Sequence, residues 1–190
     1  MVIKPRLMRA LVPPKLFIGG SEIRYVDNFK YLGHIISSDF TDDLDIEREV
    51  RSLYIRGNTI ARKFHFLSHD VKVALFESYC YPLYTCALWS KYKQRSMNKL
   101  KVAYNNMMRK LFGVAPWHSA RNMFVRLNVR SFFENVRKIS YSLMSGVLKC
   151  QNSIVVTLVH SDCFIQSGTR RIWVENLFLN RLEAIYSIQV

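Results

Sequence analysis

Apolar residues recur three and four positions apart through most of this 190-residue chain, and this spacing constrains the fold more than any other feature. It is the spacing of one face of an α-helix. The first predicted helix follows an acidic loop and runs to about Leu67, and the second starts at Ser68 or His69. The second is expected to kink at Pro82 and to continue to Trp89. The remaining predicted helices are 97–112, 119–124 and 132–148, with weaker patterns at 152–160 and 173–188 and a loop at 161–171.

Short apolar runs separated by turn residues occupy the first 40 residues and predict β-strands. Runs at 16–18 and 23–26 flank a glycine pair, which is typical of a hairpin. The run at 29–36 is predicted as a third strand of the same thin sheet, with Gly33 at a bulge or a close backbone approach. The expected fold class is α+β, mostly α, with a small antiparallel β-element followed by a helical bundle. The chain is expected to divide into three segments: the β-element at 1–40, a helical region at 41–150 and a helical carboxyl-terminal segment at 151–190.

The formal net charge is +14, from 28 Lys and Arg residues against 14 Asp and Glu residues. Most of it lies between residues 68 and 149, where 14 basic residues face three acidic ones. A balance this basic favours an anionic partner, and nucleic acid is the commonest one. A solvated basic surface without a specific partner is the alternative.

The four cysteines lack the spacing of a zinc site, so no metal site is predicted. Cys80 and Cys86 fall in an apolar helical pattern that suits buried, reduced thiols. No stretch approaches about 20 apolar residues, and the amino terminus lacks the pattern of a signal peptide. We therefore expect no membrane span and an intracellular location, nuclear or cytoplasmic.

The Phe-Lys-Tyr-Leu-Gly sequence at 29–33 resembles the primer-grip element of reverse transcriptases from non-LTR (LINE-class) retrotransposons. Its order strengthens the resemblance, since it follows a hairpin and precedes an acidic loop, an arginine-rich helix and the Leu-Phe-Glu-Ser-Tyr-Cys run at 75–80. The Met-Val-Ile-Lys-Pro start resembles the end of palm motif D. The resemblance covers residues 1–150 and implies the end of the palm, the primer grip, and the thumb and connector of an RNA-directed DNA polymerase. Residues 151–190 are expected to be divergent.

The resemblance implies roles for particular residues. Tyr31, Leu32 and Gly33 would touch the end of a primer, although Phe29, Tyr31 and Ile35 also alternate as ordinary strand core would. The basic residues that would contact phosphates are Arg48, Arg51, Arg56, Arg62 and Lys63 in the first helix and Lys91, Lys93, Arg95, Lys99 and Lys101 beyond it. Two alternatives remain: Glu47 and Glu49 pair with some of these arginines, or the second group is a solvated face.

The catalytic carboxylates of this family, which hold two Mg²⁺ ions, would lie before the first residue of this chain. Asp42 and Asp43 form the only adjacent acidic pair, and their position favours helix caps over a metal site. We therefore expect no polymerase activity from this chain alone and no cofactor in it, although the full-length enzyme would need Mg²⁺. The expected partners are nucleic acid, bound weakly and nonspecifically, and the missing polymerase domains. The alternatives are a helical protein-interaction module and a non-functional retroelement relic.

Overall fold

A computed structural model describes residue 12 and residues 14–175, in which two β-hairpins precede a bundle of helices. The strands are β1 (Leu16–Ile18), β2 (Ser21–Ile23), β3 (Asn28–Tyr31) and β4 (His34–Ser37). The helices are α1 (Asp43–Lys63), α2 (His69–Cys80), α3 (Gln94–Phe112), α4 (Ala120–Arg126), α5 (Phe132–Lys149), α6 (Ser153–His160) and α7 (Asp162–Ile165), with a 3₁₀ turn at Cys86–Leu88. The predicted class, α+β and mostly α, is confirmed.

The predicted third strand is a hairpin, so that prediction is wrong. β3 pairs antiparallel with β4, with Tyr31 opposite His34, and Leu32 and Gly33 form the two-residue turn between them. Their φ angles are +45° and +86°, and a type I′ hairpin turn requires positive φ at both positions. Gly33 therefore reverses the chain instead of marking a bulge.

β1 and β2 form a separate two-stranded sheet, so the expected three-stranded sheet does not form. Gly19 and Gly20 connect them with φ angles of +56° and +78°. β2 begins at Ser21, two residues before the predicted second strand, because a two-residue turn suffices. Every residue of β1 and β2 is exposed to solvent.

α1 and α3 pack side by side and run parallel. The Asp43 carboxylate accepts from the Lys93 amide near the amino ends, and Lys110 donates to Asn58 towards the carboxyl ends. Gly57 is buried in the contact, and a Cβ atom there would lie 2.5 Å from the sulfur of Met107. Gly57 therefore allows the two helices to pack closely, and α1 passes through it unbroken.

α2 ends at Cys80, so the prediction of a kinked helix to Trp89 is wrong. Pro82 has no amide hydrogen to donate, so the helical hydrogen-bond ladder cannot continue through it. Tyr81, the residue before it, still has helical backbone, and its amide donates to the Phe76 carbonyl at 3.2 Å. The chain then turns through Thr85, which has a left-handed φ of +68°, into the 3₁₀ turn. This reversal returns the chain to the amino end of α1.

Tyr104 of α3 is fully buried at the centre of the bundle. Its ring lies 5.2 Å from that of Phe76 and 5.6 Å from that of Phe132, centroid to centroid. Burial raises the pKa of its hydroxyl, which donates to the Arg130 carbonyl at 3.0 Å. Cys80 and Cys86 are buried free thiols, as predicted.

The carboxyl-terminal part of the described chain is helical, so the predicted loop at 161–171 is wrong. α7 falls within that range, and residues 168–175 are helical as well. The Trp173 indole donates to the Ala87 carbonyl at 2.8 Å, which fastens this segment to the 3₁₀ turn. The predicted helix at 173–188 lies outside the described residues from 176 onwards.

Among residues 12 and 14–175, no single helix has both the length and the apolar composition needed to cross a membrane. α5 and α6 meet that requirement only when taken together, and their axes differ by 111°.

Candidate nucleic-acid interface

The turn that contains Leu32 and Gly33 lies against Tyr84. The Tyr84 hydroxyl donates to the Leu32 carbonyl at 2.7 Å, and a Cβ atom on Gly33 would lie 3.0 Å from the Tyr84 ring. The close backbone approach predicted at Gly33 is thus present, and the group approached belongs to the same chain. Phe29 and Tyr31 are 53% and 58% exposed, so the alternative that they are strand core is wrong, and Leu32 in the turn is 75% exposed. Contact of these residues with a primer stays a prediction.

Asp45, in the first turn of α1, is fully buried and joins three segments of the chain. It accepts hydrogen bonds at 2.6–2.9 Å from four donors, which with Asp45 form the Asp45 cluster: the Ile35 amide, Arg48 Nε, Thr85 Oγ1 and Trp89 Nε1. Burial alone would raise the pKa of this carboxyl, but the hydrogen bonds outweigh it and lower the pKa from 3.8 to about 2. The cluster fastens β4 and the segment after α2 to α1.

Two of the predicted phosphate-binding arginines form ion pairs inside the protein. Arg48 binds Asp45 and also lies 3.0 Å from the fully buried carboxylate of Glu49. Arg56 binds the other oxygen of Glu49. The expectation that Glu49 pairs with nearby arginines is confirmed, and Arg48 and Arg56 stabilise buried carboxylates.

Asp42 and Asp43 bind backbone amides of a distant segment instead of capping α1 with their side chains. Asp42 Oδ2 accepts from the amides of Ser90 and Lys91, both at 2.8 Å, and Asp43 Oδ1 accepts from the Lys93 amide at 2.9 Å. The helix-cap interpretation is therefore wrong. Among the described residues, no three His, Cys, Asp or Glu side chains are grouped to hold a metal ion.

The solvent-facing groove between α1 and α3 carries exposed cations from both helices. Two polar contacts bridge the helices at this groove: Lys99 donates to Glu47 at 3.3 Å, and Lys110 donates to Asn58 at 2.7 Å. The side chains that flank these contacts follow helical spacing on α1 and on α3. We call this surface the α1–α3 seam. Its residues are Glu47, Arg51, Ile55, Asn58, Arg62, Arg95, Lys99, Val102, Asn106 and Lys110.

The α1–α3 seam combines five basic side chains with a single carboxylate, which is already paired with Lys99. Ile55 and Val102 are 67% and 53% exposed on the same surface. Arg51, Arg62 and Arg95 are exposed, and none of their side chains has a partner among the described residues. Such guanidinium groups are available for bidentate hydrogen bonds to phosphate.

The remaining predicted basic residues lie elsewhere. Lys91 donates to the Asp39 carbonyl at 3.0 Å, and Lys93 stands at the amino end of α3. Lys63 lies on the side of α1 away from α3, and Lys101 lies on the opposite edge of α3 from Lys99. The structure thus brings four of the ten predicted residues together on the seam: Arg51, Arg62, Arg95 and Lys99.

Sequence reasoning left Lys110 out of the predicted site, although it completes the row on α3. It is eleven positions after Lys99, which is three helical turns and places both on one face. This spacing in the sequence would have predicted that Lys110 belongs to the same basic row as Lys99.

Comparisons with protein-family models, curated proteins and solved structures give no match to this chain. The resemblance to non-LTR reverse transcriptases stays a prediction.

Proposed function

We propose that this chain is the thumb-side part of a non-LTR-type reverse transcriptase and that its α1–α3 seam binds the phosphate backbone of nucleic acid. The ligand class is RNA, DNA or an RNA–DNA hybrid, bound without sequence preference. No polymerase chemistry is proposed for this chain's own residues. The observation that carries the proposal is the pair of parallel basic rows around a groove with one carboxylate. A nuclear or cytoplasmic location belongs to the proposal and fits the free thiols.

The dimensions of the seam suit a nucleic-acid strand. Residues 95 and 110 are separated by about 22 Å along α3 at 1.5 Å per residue. Exposed cations spaced over this length neutralise several successive phosphates, which gives affinity without reading bases.

Salt dependence is the direct signature of this mode of binding. Neutralising about five phosphates gives a slope of log K against log salt of about −3.5 to −4.5. Between 50 and 200 mM NaCl, affinity for an RNA–DNA hybrid should therefore fall by about 100- to 500-fold. A salt-independent affinity, or no binding at low salt, would contradict the proposal.

A matched pair of triple variants separates the seam from net charge. Arg51→Gln, Arg62→Gln and Arg95→Gln together remove three exposed cations from the seam. The control triple, Arg126→Gln, Lys138→Gln and Lys149→Gln, removes three exposed cations from α4 and α5. We expect the seam variant to flatten the salt slope by about 2 to 3 and the control to leave it nearly unchanged. Equal losses in both variants would show that only net charge matters.

A second candidate function is protein binding through the hairpins, and an exposed apolar surface favours it. The apolar side chains there that are at least 39% exposed are Leu16, Phe17, Ile18, Ile23, Val26, Phe29, Tyr31, Leu32 and Phe40. Exposed apolar surface of this kind is typical of interaction sites. The partner proposed is a polymerase palm domain, because the resemblance sets these hairpins beside it.

Co-purification with a separately expressed palm domain of a non-LTR reverse transcriptase tests the second candidate. Phe17→Ser with Phe29→Ser should abolish capture, whereas the seam triple variant should retain it. If neither nucleic acid nor a palm domain binds, the remaining alternative of a retroelement relic is favoured.

A further inference from the structure

A second basic cleft opens between α3, α4 and α5, on the edge of α3 opposite the seam. Its volume is about 920 Å³, and Phe124, Phe132 and Phe133 contribute to its lining. Lys101 lines it from α3, and Arg121 lines it from α4. The cleft shares no residue with the α1–α3 seam.

The cleft has a positive electrostatic character. Three cationic side chains, Lys101, Arg121 and Arg130, line it against one carboxylate, that of Glu134. Glu134 is engaged in the capping box of α5, where it accepts from the Ser131 amide at 2.6 Å. The positive end of the α5 dipole also lies at the cleft. An anionic group entering the cleft therefore meets cations and no free carboxylate among the described residues.

One of these cations lies over the face of an exposed aromatic ring. Phe133 is 40% exposed, and Lys101 Nζ lies 5.0 Å from the centroid of its ring. A phosphate held by Lys101 would bring its own nucleotide to this ring. Asn105 adds a buried side-chain oxygen that has no hydrogen-bond partner and can accept from a base N–H group.

We propose that this cleft binds an unpaired nucleotide of single-stranded nucleic acid, with the base on Phe133 and the phosphate on Lys101 and Arg121. An unpaired strand is required because the faces of duplex bases are covered by their neighbours. Stacking on an aromatic ring tolerates every base, since each has a π-face. The cleft is separate from the seam, so this site does not depend on the proposed function.

Two hexamers of equal charge isolate the stacking contribution. The probes are fluorescein-labelled hexadeoxyadenylate and an abasic hexamer with the same phosphates, measured by fluorescence anisotropy at low salt. Wild-type protein should prefer the base-containing hexamer by at least about fivefold. Phe133→Ala should remove this preference, and the matched control Tyr141→Ala, at an exposed ring on α5 outside the cleft, should keep it.

Further variants keep the test decisive. Phe133→Leu retains apolar volume and should also lose the preference, which covers the case in which Phe133→Ala fails to fold. The seam triple variant should weaken both hexamers alike and preserve their ratio, so failure of the seam and failure of the cleft are distinguishable. Equal affinity of wild-type protein for the two hexamers, or a preference unchanged in Phe133→Leu, would overturn the proposal.

Discussion

The two hairpins of this protein are built alike and are held very differently. Both have short antiparallel strands and two-residue turns with positive φ at both positions. β1 and β2 are exposed along their whole length, whereas β4 is half-buried and ends at the buried Ser37. An isolated two-stranded hairpin is marginally stable in water. The comparison shows that turn chemistry shapes a hairpin, while contacts with the bundle decide how firmly it is held.

The second hairpin even contains a residue in an unfavourable backbone conformation. Leu32 adopts a φ of +45°, which costs an L-residue about 1–2 kcal/mol, whereas Gly19 and Gly20 adopt positive φ without that cost. Contacts of this hairpin with Asp45 and Tyr84 offset the cost. Removing those contacts should therefore make the second hairpin behave like the first.

Asp45→Asn should have the largest effect, because it removes a buried charge that several donors share. The Arg48 guanidinium would keep only Glu49 as a buried carboxylate partner, and the new amide hydrogens would face other donors. We expect the free energy of unfolding to fall by about 3–5 kcal/mol, measured by urea denaturation. Hydrogen exchange at the Ile35 amide should accelerate until it is as fast as exchange at the amides of β1 and β2, measured in the same experiment.

The control for this variant lies in the first hairpin. Glu22→Gln removes a carboxylate whose only described ion pair is the exposed one with Lys15, at 3.2 Å. Exposed pairs contribute little, so stability should change by less than about 0.5 kcal/mol. If Asp45→Asn lowered the free energy of unfolding no more than Glu22→Gln does, a central role for the Asp45 cluster would be contradicted.

Acid should weaken the second hairpin through the same carboxylate. The pKa of Asp45 is about 2 in the folded protein against 3.8 ordinarily, so the stability it supplies is complete above pH 4. That stability is lost as pH falls through about 2, and it amounts to about 2 kcal/mol. His34 and Arg48 face this carboxyl, and Asp42 opposes the trend because burial raises its pKa.

Comparison with Asp45→Asn isolates this contribution. The stability difference between wild-type protein and the variant, measured by urea denaturation from pH 5 to pH 2, should shrink by about 2 kcal/mol. A constant difference over that range would show that Asp45 does not titrate as its hydrogen bonds require.

Tyr84→Phe should have the smallest effect, because it removes one hydrogen bond at a solvent-exposed turn. The Leu32 carbonyl can then bind water, so the loss should be about 0.5 kcal/mol, at the lower end for a hydrogen bond. Hydrogen exchange in β3 and β4 should accelerate while β1 and β2 stay unchanged. Tyr79→Phe, at another exposed tyrosine, is the control, and an equal effect there would show that the Tyr84 hydroxyl does not hold the turn.

Local signals in the sequence predicted the helices that depend on local physics. α3 ends at Phe112 as predicted, because Gly113 adopts a left-handed φ of +63° and closes the helix. The hairpin turn at Leu32 was missed because leucine rarely adopts positive φ, so the sequence favoured a continuous strand. The end of α2 at Cys80 was missed because a proline inside an apolar pattern signals a kink as readily as an end.

The candidate site was only partly predictable, for reasons of distance along the chain. The basic character of the helical region follows from composition alone. Which arginines remain free depends on the burial of Glu49, which pairs with Arg48 and Arg56. Three of the four partners of Asp45 come from positions 10, 40 and 44 residues away, so no local pattern reveals them.

Because α1 and α3 are parallel neighbours, the seam exists only when the two helices are packed together in the folded chain. Its two rows come from segments that meet across sequence separations of 50–52 residues, so neither row forms the groove alone. Any ligand that bridges both rows binds only the folded chain and must raise its unfolding temperature with concentration. A nucleic acid that bridges both rows would therefore stabilise the folded state of this protein, even where no reaction takes place.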